Sequence, residues 1–211
     1  MSSSGYHNVE LQIALDPKNR NFCLPELPAD YERVLDVGCG SGQTLIALGV
    51  PPEKGFGVDI DADAVRDNHG YDLRVGAGES LPFRDSYFDY VICRVALPYM
   101  YIPTGLEEIH RVMRPGGQVW FLLHSWTRTR RRLKESMLRF DIKDAIFVSY
   151  IILNSWTFHL TGKMFRFPAK NRCESFQTDH SIARALTRAG FEGVRISRTF
   201  FFEVWAKKAT P

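Results

Sequence analysis

The sequence predicts an α/β fold: a doubly wound, mostly parallel seven-stranded sheet with an antiparallel C-terminal strand and a helical insertion after strand five. Three observations predict it. From Arg33 onward, short apolar runs alternate with segments of helical period, the pattern of a parallel sheet covered on both faces. Glycines gather at the tip of the first such run, at Gly38, Gly40 and Gly42. The stretch 125–178 is far longer than an ordinary strand-to-helix connection, so it carries structure of its own.

The elements follow in order. Val34–Val37 is the first strand, stopped at Gly38, with a helix starting near Thr44. Gly55–Asp59 is the second, Leu73–Gly76 the third, and Tyr90–Cys93 the fourth, entered after the turn signal Asp85-Ser86. Between strands four and five, Leu106, Ile109, Val112 and Met113 stand at helical spacing, and Pro115 ends that helix. Gln118–His124 is the fifth strand, entered through Pro115-Gly116-Gly117. Ile182, Leu186 and Ala189 mark a last helix stopped at Gly190, and Val194–Ser197 and Phe201–Lys207 are two closing strands.

With 211 residues the chain suits one domain with a sizeable core and one insertion. The 45% hydrophobic and 24% charged shares are those of a folded globular protein, and a net charge of +3 does not by itself point to nucleic acid. Cys23, Cys39, Cys93 and Cys173 are scattered without metal-ligand spacing, which argues for no metal, no disulfide framework and a reducing, cytoplasmic setting. Met1 to Asn8 shows no secretory pattern and reads as a frayed tail.

The chemistry begins at Val34-Leu35-Asp36-Val37-Gly38-Cys39-Gly40-Ser41-Gly42, a strand running into a bare turn and then a helix. Glycines at alternate positions tolerate a left-handed backbone and let a ligand approach the main chain. Asp59, at the end of the second strand, stands where open α/β folds place an acid on ribose hydroxyls. Turn and acid together imply a bound nucleoside. A dinucleotide fingerprint requires a glycine where this chain has Gln43, so hydride transfer is not the reading.

These residues resemble the cofactor loop of class I S-adenosylmethionine-dependent methyltransferases. So do Gly57-Val58-Asp59-Ile60-Asp61, Glu79-Ser80-Leu81-Pro82-Phe83 with Phe88-Asp89, Arg111 through Gly117, and Ala189-Gly190-Phe191, all in the family's order. The resemblance implies a methyltransferase domain over 33–211, after an N-terminal segment 1–32, with 125–178 as a lid-like insertion. It implies S-adenosylmethionine as cofactor, with Asp36, Gly38, Cys39 and Gly40 against its adenosyl and amino-acid parts, Asp59 on the ribose and Ile60 on the adenine face. Where relatives often read Gly-Asp-Ala-Glu, this chain reads Gly76-Ala77-Gly78-Glu79, leaving Gly78 and Glu79 for the adenine. Arg94 is placed near the methionyl carboxylate, with a solvated surface arginine as the other reading.

Methyl transfer is an in-line displacement that needs alignment, a dry site and, for a protonated oxygen, a base. His124 and Tyr99 are the catalytic candidates at the sheet edge; His124 is the better base, unless it merely caps its strand. Leu97-Pro98-Tyr99 invites comparison with the Asn-Pro-Pro-Tyr signature of amide and exocyclic-amine methylation, but Arg94 stands where its Asn belongs, so protein-amide and nucleic-acid acceptors are disfavoured. The insertion joins a basic run, Arg128 to Lys134, that reads mainly as a solvated helix face, to an apolar segment, 145–160, too short and too interrupted to insert stably in a membrane. It reads as a lid, a homodimer face or a surface resting on lipid headgroups; the lid is favoured, with Tyr150, Trp156 and His159 as acceptor contacts. The expected reaction is O-methylation of a small molecule such as a secondary metabolite or sugar. A lipid-linked acceptor and a non-catalytic cofactor-binding protein are the alternatives.

Overall fold

The computed structural model describes residues 12, 13, 15, 16, 18, 19, 21–66, 68–168 and 173–210; the tail read at Met1 to Asn8 lies outside them. Strands β1 (Val34–Val37), β2 (Gly55–Asp59), β3 (Asp72–Val75), β4 (Phe88–Arg94), β5 (Met113–Leu123), β6 (Phe191–Ser197) and β7 (Phe202–Lys208) form one sheet in the order β3-β2-β1-β4-β5-β7-β6. All pairs from β3 through β5 are parallel, and β7 runs antiparallel between β5 and β6. The helices are α1 (Gln43–Ala47), α2 (Ala62–Arg66), α3 (Ile102–Val112), α4 (Trp126–Leu138), α5 (Ile142–Thr161) and α6 (Asp179–Arg188). The predicted fold class is the one observed.

Alternation along the strands builds two cores. Leu35, Val91 and Phe121 face one side, where they meet Leu106 and Ile109 of α3 and Ile182 and Leu186 of α6. Val34, Ile92 and Trp120 face the other and meet Leu45 of α1. Each such side chain contributes about 1.5–3 kcal/mol by leaving water. Local signals set the helix ends: Pro103 lies in the first turn of α3, and Thr178 and Ser181 close a capping box on α6. Arg111 of α3 donates to the carbonyls of Leu81 and Phe83 and pairs with Asp85 and Glu108, which fixes the loop that leads into β4.

Two departures from the sequence reading have physical causes. β5 begins at Met113, five residues early: Phe88 pairs with Met113 and Tyr90 with Gln118, so Pro115, Gly116 and Gly117 bulge out of the strand rather than precede it. α2 was not foreseen, since five residues give too little periodicity to register. The insertion folds as α4 and α5, tied by the Arg132 guanidinium to Asp144 at 2.5 Å and by the Ser136 hydroxyl to the same carboxylate.

The chain lays down β1, β2 and β3 to one side, then crosses to β4 on the other side of β1. That reversal opens a crevice beyond the carboxyl ends of β1 and β4.

Candidate functional site

A cleft of about 1640 Å³ occupies this crevice. One half is made by strand tips. The amides of Gly38 and Cys39 both donate to the Val58 carbonyl, at 2.8 and 3.1 Å, so the glycine turn is sewn to β2. Gly38 has φ +82, and a β-carbon there would collide with that of Ala96. Only glycine fits that position. Asp59 completes the seam: its Oδ2 accepts from the Gly40 amide at 2.8 Å and its Oδ1 from Asp61 at 2.9 Å. Each carboxylate oxygen has a second lone pair, which leaves Asp59 able to accept from two hydroxyls on the cleft side.

The other cofactor candidates fall around this seam. Ile60, exposed, and Gly76 to Glu79 line the cleft. A β-carbon on Gly78 would come within 2.5 Å of the Met100 sulfur, so any larger residue there requires the Met100 side chain to move. Glu79 is already committed: its Oε1 accepts from the Tyr101 amide at 2.9 Å, capping α3, and lies 3.4 Å from Arg166. Cys39 contributes backbone alone, because its side chain is buried and burial pushes its thiol far above the ordinary range. Arg94 lines the cleft. Beneath the turn, the Asp36 carboxyl is wholly buried, and neither oxygen has a hydrogen-bond partner. Burial raises it to about 7, against the opposing influence of the neighbouring Thr44 side chain and the Arg94 charge, neither of which bonds it directly. A bare backbone turn, a hydroxyl-accepting carboxylate and an unsatisfied buried carboxyl fit S-adenosylmethionine, whose ribose and ammonium offer the matching donors.

The second half of the cleft holds the two catalytic candidates. His124 and Tyr99 come together, with rings edge to face at 5.4 Å, and both line it. The Arg128 guanidinium lies 2.6 Å from His124 Nε2. Arginine can only donate, so Nε2 accepts and the imidazole carries its proton on Nδ1. Burial, then the Arg128 charge, push the His124 pKa down to about 3. Arg131 and Arg132 also line the cleft, so the basic run is not simply a solvated helix face. The buried Glu174 lines it too, 3.4 Å from Arg132, on a return segment whose Ser175 and Gln177 amides donate to the carbonyls of Pro98 and His124.

The acceptor contacts expected on α5 lie elsewhere. Among the described residues, α5 contributes Ile151 to the lining. Tyr150 is buried and donates to the Phe165 carbonyl, His159 bonds Thr178, and Trp156 is half-exposed beside His159 and Phe176. A 20-residue helix with apolar residues all round does not announce which side meets the cleft. The sequence reading also missed Val95, a β-branched residue at φ +62 between Arg94 and Ala96. Such a conformation costs energy and collects at functional sites, but no sequence signal marks it. Arg128 had a signal: the basic run starts directly after the tip of β5.

Comparison with known proteins agrees with this geometry. Residues 35–121 match the family model described as a methyltransferase domain. A fatty-acid O-methyltransferase of Mycolicibacterium smegmatis is 34% identical over 119 residues, 51% of this chain and 42% of that protein. A demethylmenaquinone methyltransferase of Staphylococcus saprophyticus is 28% identical over 78% of this chain and 72% of its own length. The chain thus spans less than half of the first relative. A solved S-adenosylmethionine-dependent methyltransferase of Methanosarcina mazei shares the fold, with a TM-score of 0.56 at 21% identity, over 88% of this chain and 95% of that one.

The buried Asp36 sets a pH dependence. The folded state holds this proton up to about pH 7, whereas an unfolded chain releases it near 4. Its contribution to stability is therefore largest below pH 4 and falls as pH rises from 4 to 7. Asp36→Asn is predicted to raise the melting temperature of the ligand-free protein by roughly 5 °C at pH 8, with the gain vanishing near pH 4. Thermal denaturation across that range checks it; a variant less stable than wild type at pH 8 contradicts it.

Proposed function

We propose, from the match of residues 35–121 to the methyltransferase-domain family model, that the chain is an enzyme transferring the methyl group of S-adenosylmethionine to an oxygen of a small-molecule acceptor. The observation that carries this is the seam of the glycine turn to Asp59 at the mouth of a cleft that continues toward Tyr99, His124 and Arg128. The cofactor, when bound, supplies a methyl group on a cationic sulfur. Asp59 holds its ribose, the backbone of Gly38 to Gly40 takes its remaining polar groups, Ile60 and Gly78 flank its adenine, and Arg94 meets its carboxylate.

The state of His124 narrows the acceptor. An imidazole whose Nε2 lone pair is taken by Arg128, and whose pKa lies at about 3, cannot remove an alcohol proton near neutrality. Its role is to fix Arg128. An acceptor oxygen that arrives without a proton needs no base, and a carboxylate is such an oxygen. Arg128 then offers its remaining N–H groups to the acid. This favours a carboxylic acid over the sugar or alcohol that the sequence first suggested, and the similarity to a fatty-acid O-methyltransferase supports it.

Two experiments follow. Asp59→Ala is expected to weaken binding of S-adenosylhomocysteine by about a hundredfold in calorimetry, since it removes two charge-assisted acceptors; unchanged affinity contradicts the cofactor site. With labelled S-adenosylmethionine, carboxylic acids are expected to give base-labile methyl esters, and Arg128→Gln to lower kcat/KM about tenfold to a hundredfold. Turnover confined to alcohols would reinstate a base, and cofactor binding without turnover on either panel would mean a non-catalytic protein.

A further inference from the structure

Helix α5 buries one face and leaves the opposite one apolar. Val148, Ile151 and Phe158 pack inward. Ile142, Ile146, Leu153, Trp156 and Leu160 are 46–72% exposed. With Ser149, they recur every three or four residues along all 20 residues of the helix, which sets them in a single stripe. The stripe is about 30 Å long. Phe140, 89% exposed, extends it onto the turn between α4 and α5. Exposed apolar residues in such a line mark a docking surface rather than chance exposure.

Charge identifies what docks. Segment 125–178 carries eleven Lys and Arg against four Asp and Glu, a net +7 in a chain whose total is +3, so the remainder is −4. The four acids are engaged internally: Glu135 with Arg131, Asp141 with the Asp144 amide, and Asp144 and Glu174 with Arg132. Exposed cations stand at both ends of the stripe, Arg139 and Lys143 at its start and Lys163 beyond Leu160. Two copies of the chain joined by a two-fold axis along this stripe would set Lys143 against Lys143 or Lys163, like charge against like, in either orientation. No helix among the described residues is long and apolar enough to cross a membrane.

We infer that the α5 stripe rests on an anionic lipid surface. Its apolar side chains sink to the acyl boundary, and Arg139, Lys143 and Lys163 meet headgroup phosphates. This surface is separate from the cleft and does not depend on methyl transfer.

Flotation of the full chain tests it, with vesicles of equal parts phosphatidylglycerol and phosphatidylcholine beside vesicles of phosphatidylcholine alone. The chain is expected to float with the anionic vesicles, to be released by high salt, and to bind neutral ones far less. Leu153→Glu with Trp156→Glu is expected to lower binding at least tenfold with melting temperature and circular dichroism retained. Arg139→Gln and Lys143→Gln are each expected to lower it about fivefold. Should the double glutamate variant not fold, quenching of wild-type tryptophan fluorescence by brominated acyl chains, lost in Trp156→Phe, gives the same answer. Absence of flotation, equal binding to neutral vesicles, or a solution dimer that the glutamate variant dissociates overturns the proposal.

Discussion

The carboxylate of Asp59 is the point on which the cleft depends. It accepts the Gly40 amide with one oxygen and the Asp61 amide with the other, while the Val58 carbonyl beside it accepts Gly38 and Cys39. The parallel register sets Val37 level with Val58, so the chain leaves both strands at the same height and β2 offers partners to the amides of Gly38, Cys39 and Gly40. A turn built on three positive-φ glycines would otherwise carry a large backbone entropy with little to hold it. Tied this way, it presents bare main chain to a ligand and keeps the acid aimed at the same space.

Charges of both signs line the cleft. Asp59, Asp61 and Glu79 stand at the strand tips, beside Arg94. Arg128, Arg131, Arg132 and Arg166 reach in from the insertion together with Glu135 and Glu174, and Arg166 lies 3.4 Å from Glu79. The insertion's excess of positive charge supplies both these arginines and the exposed cations beside the outer stripe of α5.

Much of this was legible in the sequence. The bounds of β1 and β2 coincide with the sequence reading, because glycine and acid mark their ends. Gly38, Cys39, Gly40, Asp59, Ile60 and Gly78, singled out in the sequence, line the cleft. What could not be read is whatever depends on the direction a side chain takes in three dimensions. Tyr150, Trp156 and His159 have the composition of acceptor contacts, yet α5 is apolar on both sides and periodicity alone does not say which side turns inward. His124 looks like a base in one dimension; burial and an arginine four residues on, which is adjacent only because the strand ends and a helix starts, make it a poor one.

The central claim is that the turn from Gly38 to Gly42 and the Asp59 carboxylate grip one adenosyl ligand together. Residue-resolved amide spectra of the labelled protein during titration with S-adenosylhomocysteine test it most directly. The account predicts that the largest shifts fall on the amides of Gly38, Gly40 and Asp61 and saturate together. Saturable binding whose shifts spare these amides would contradict it.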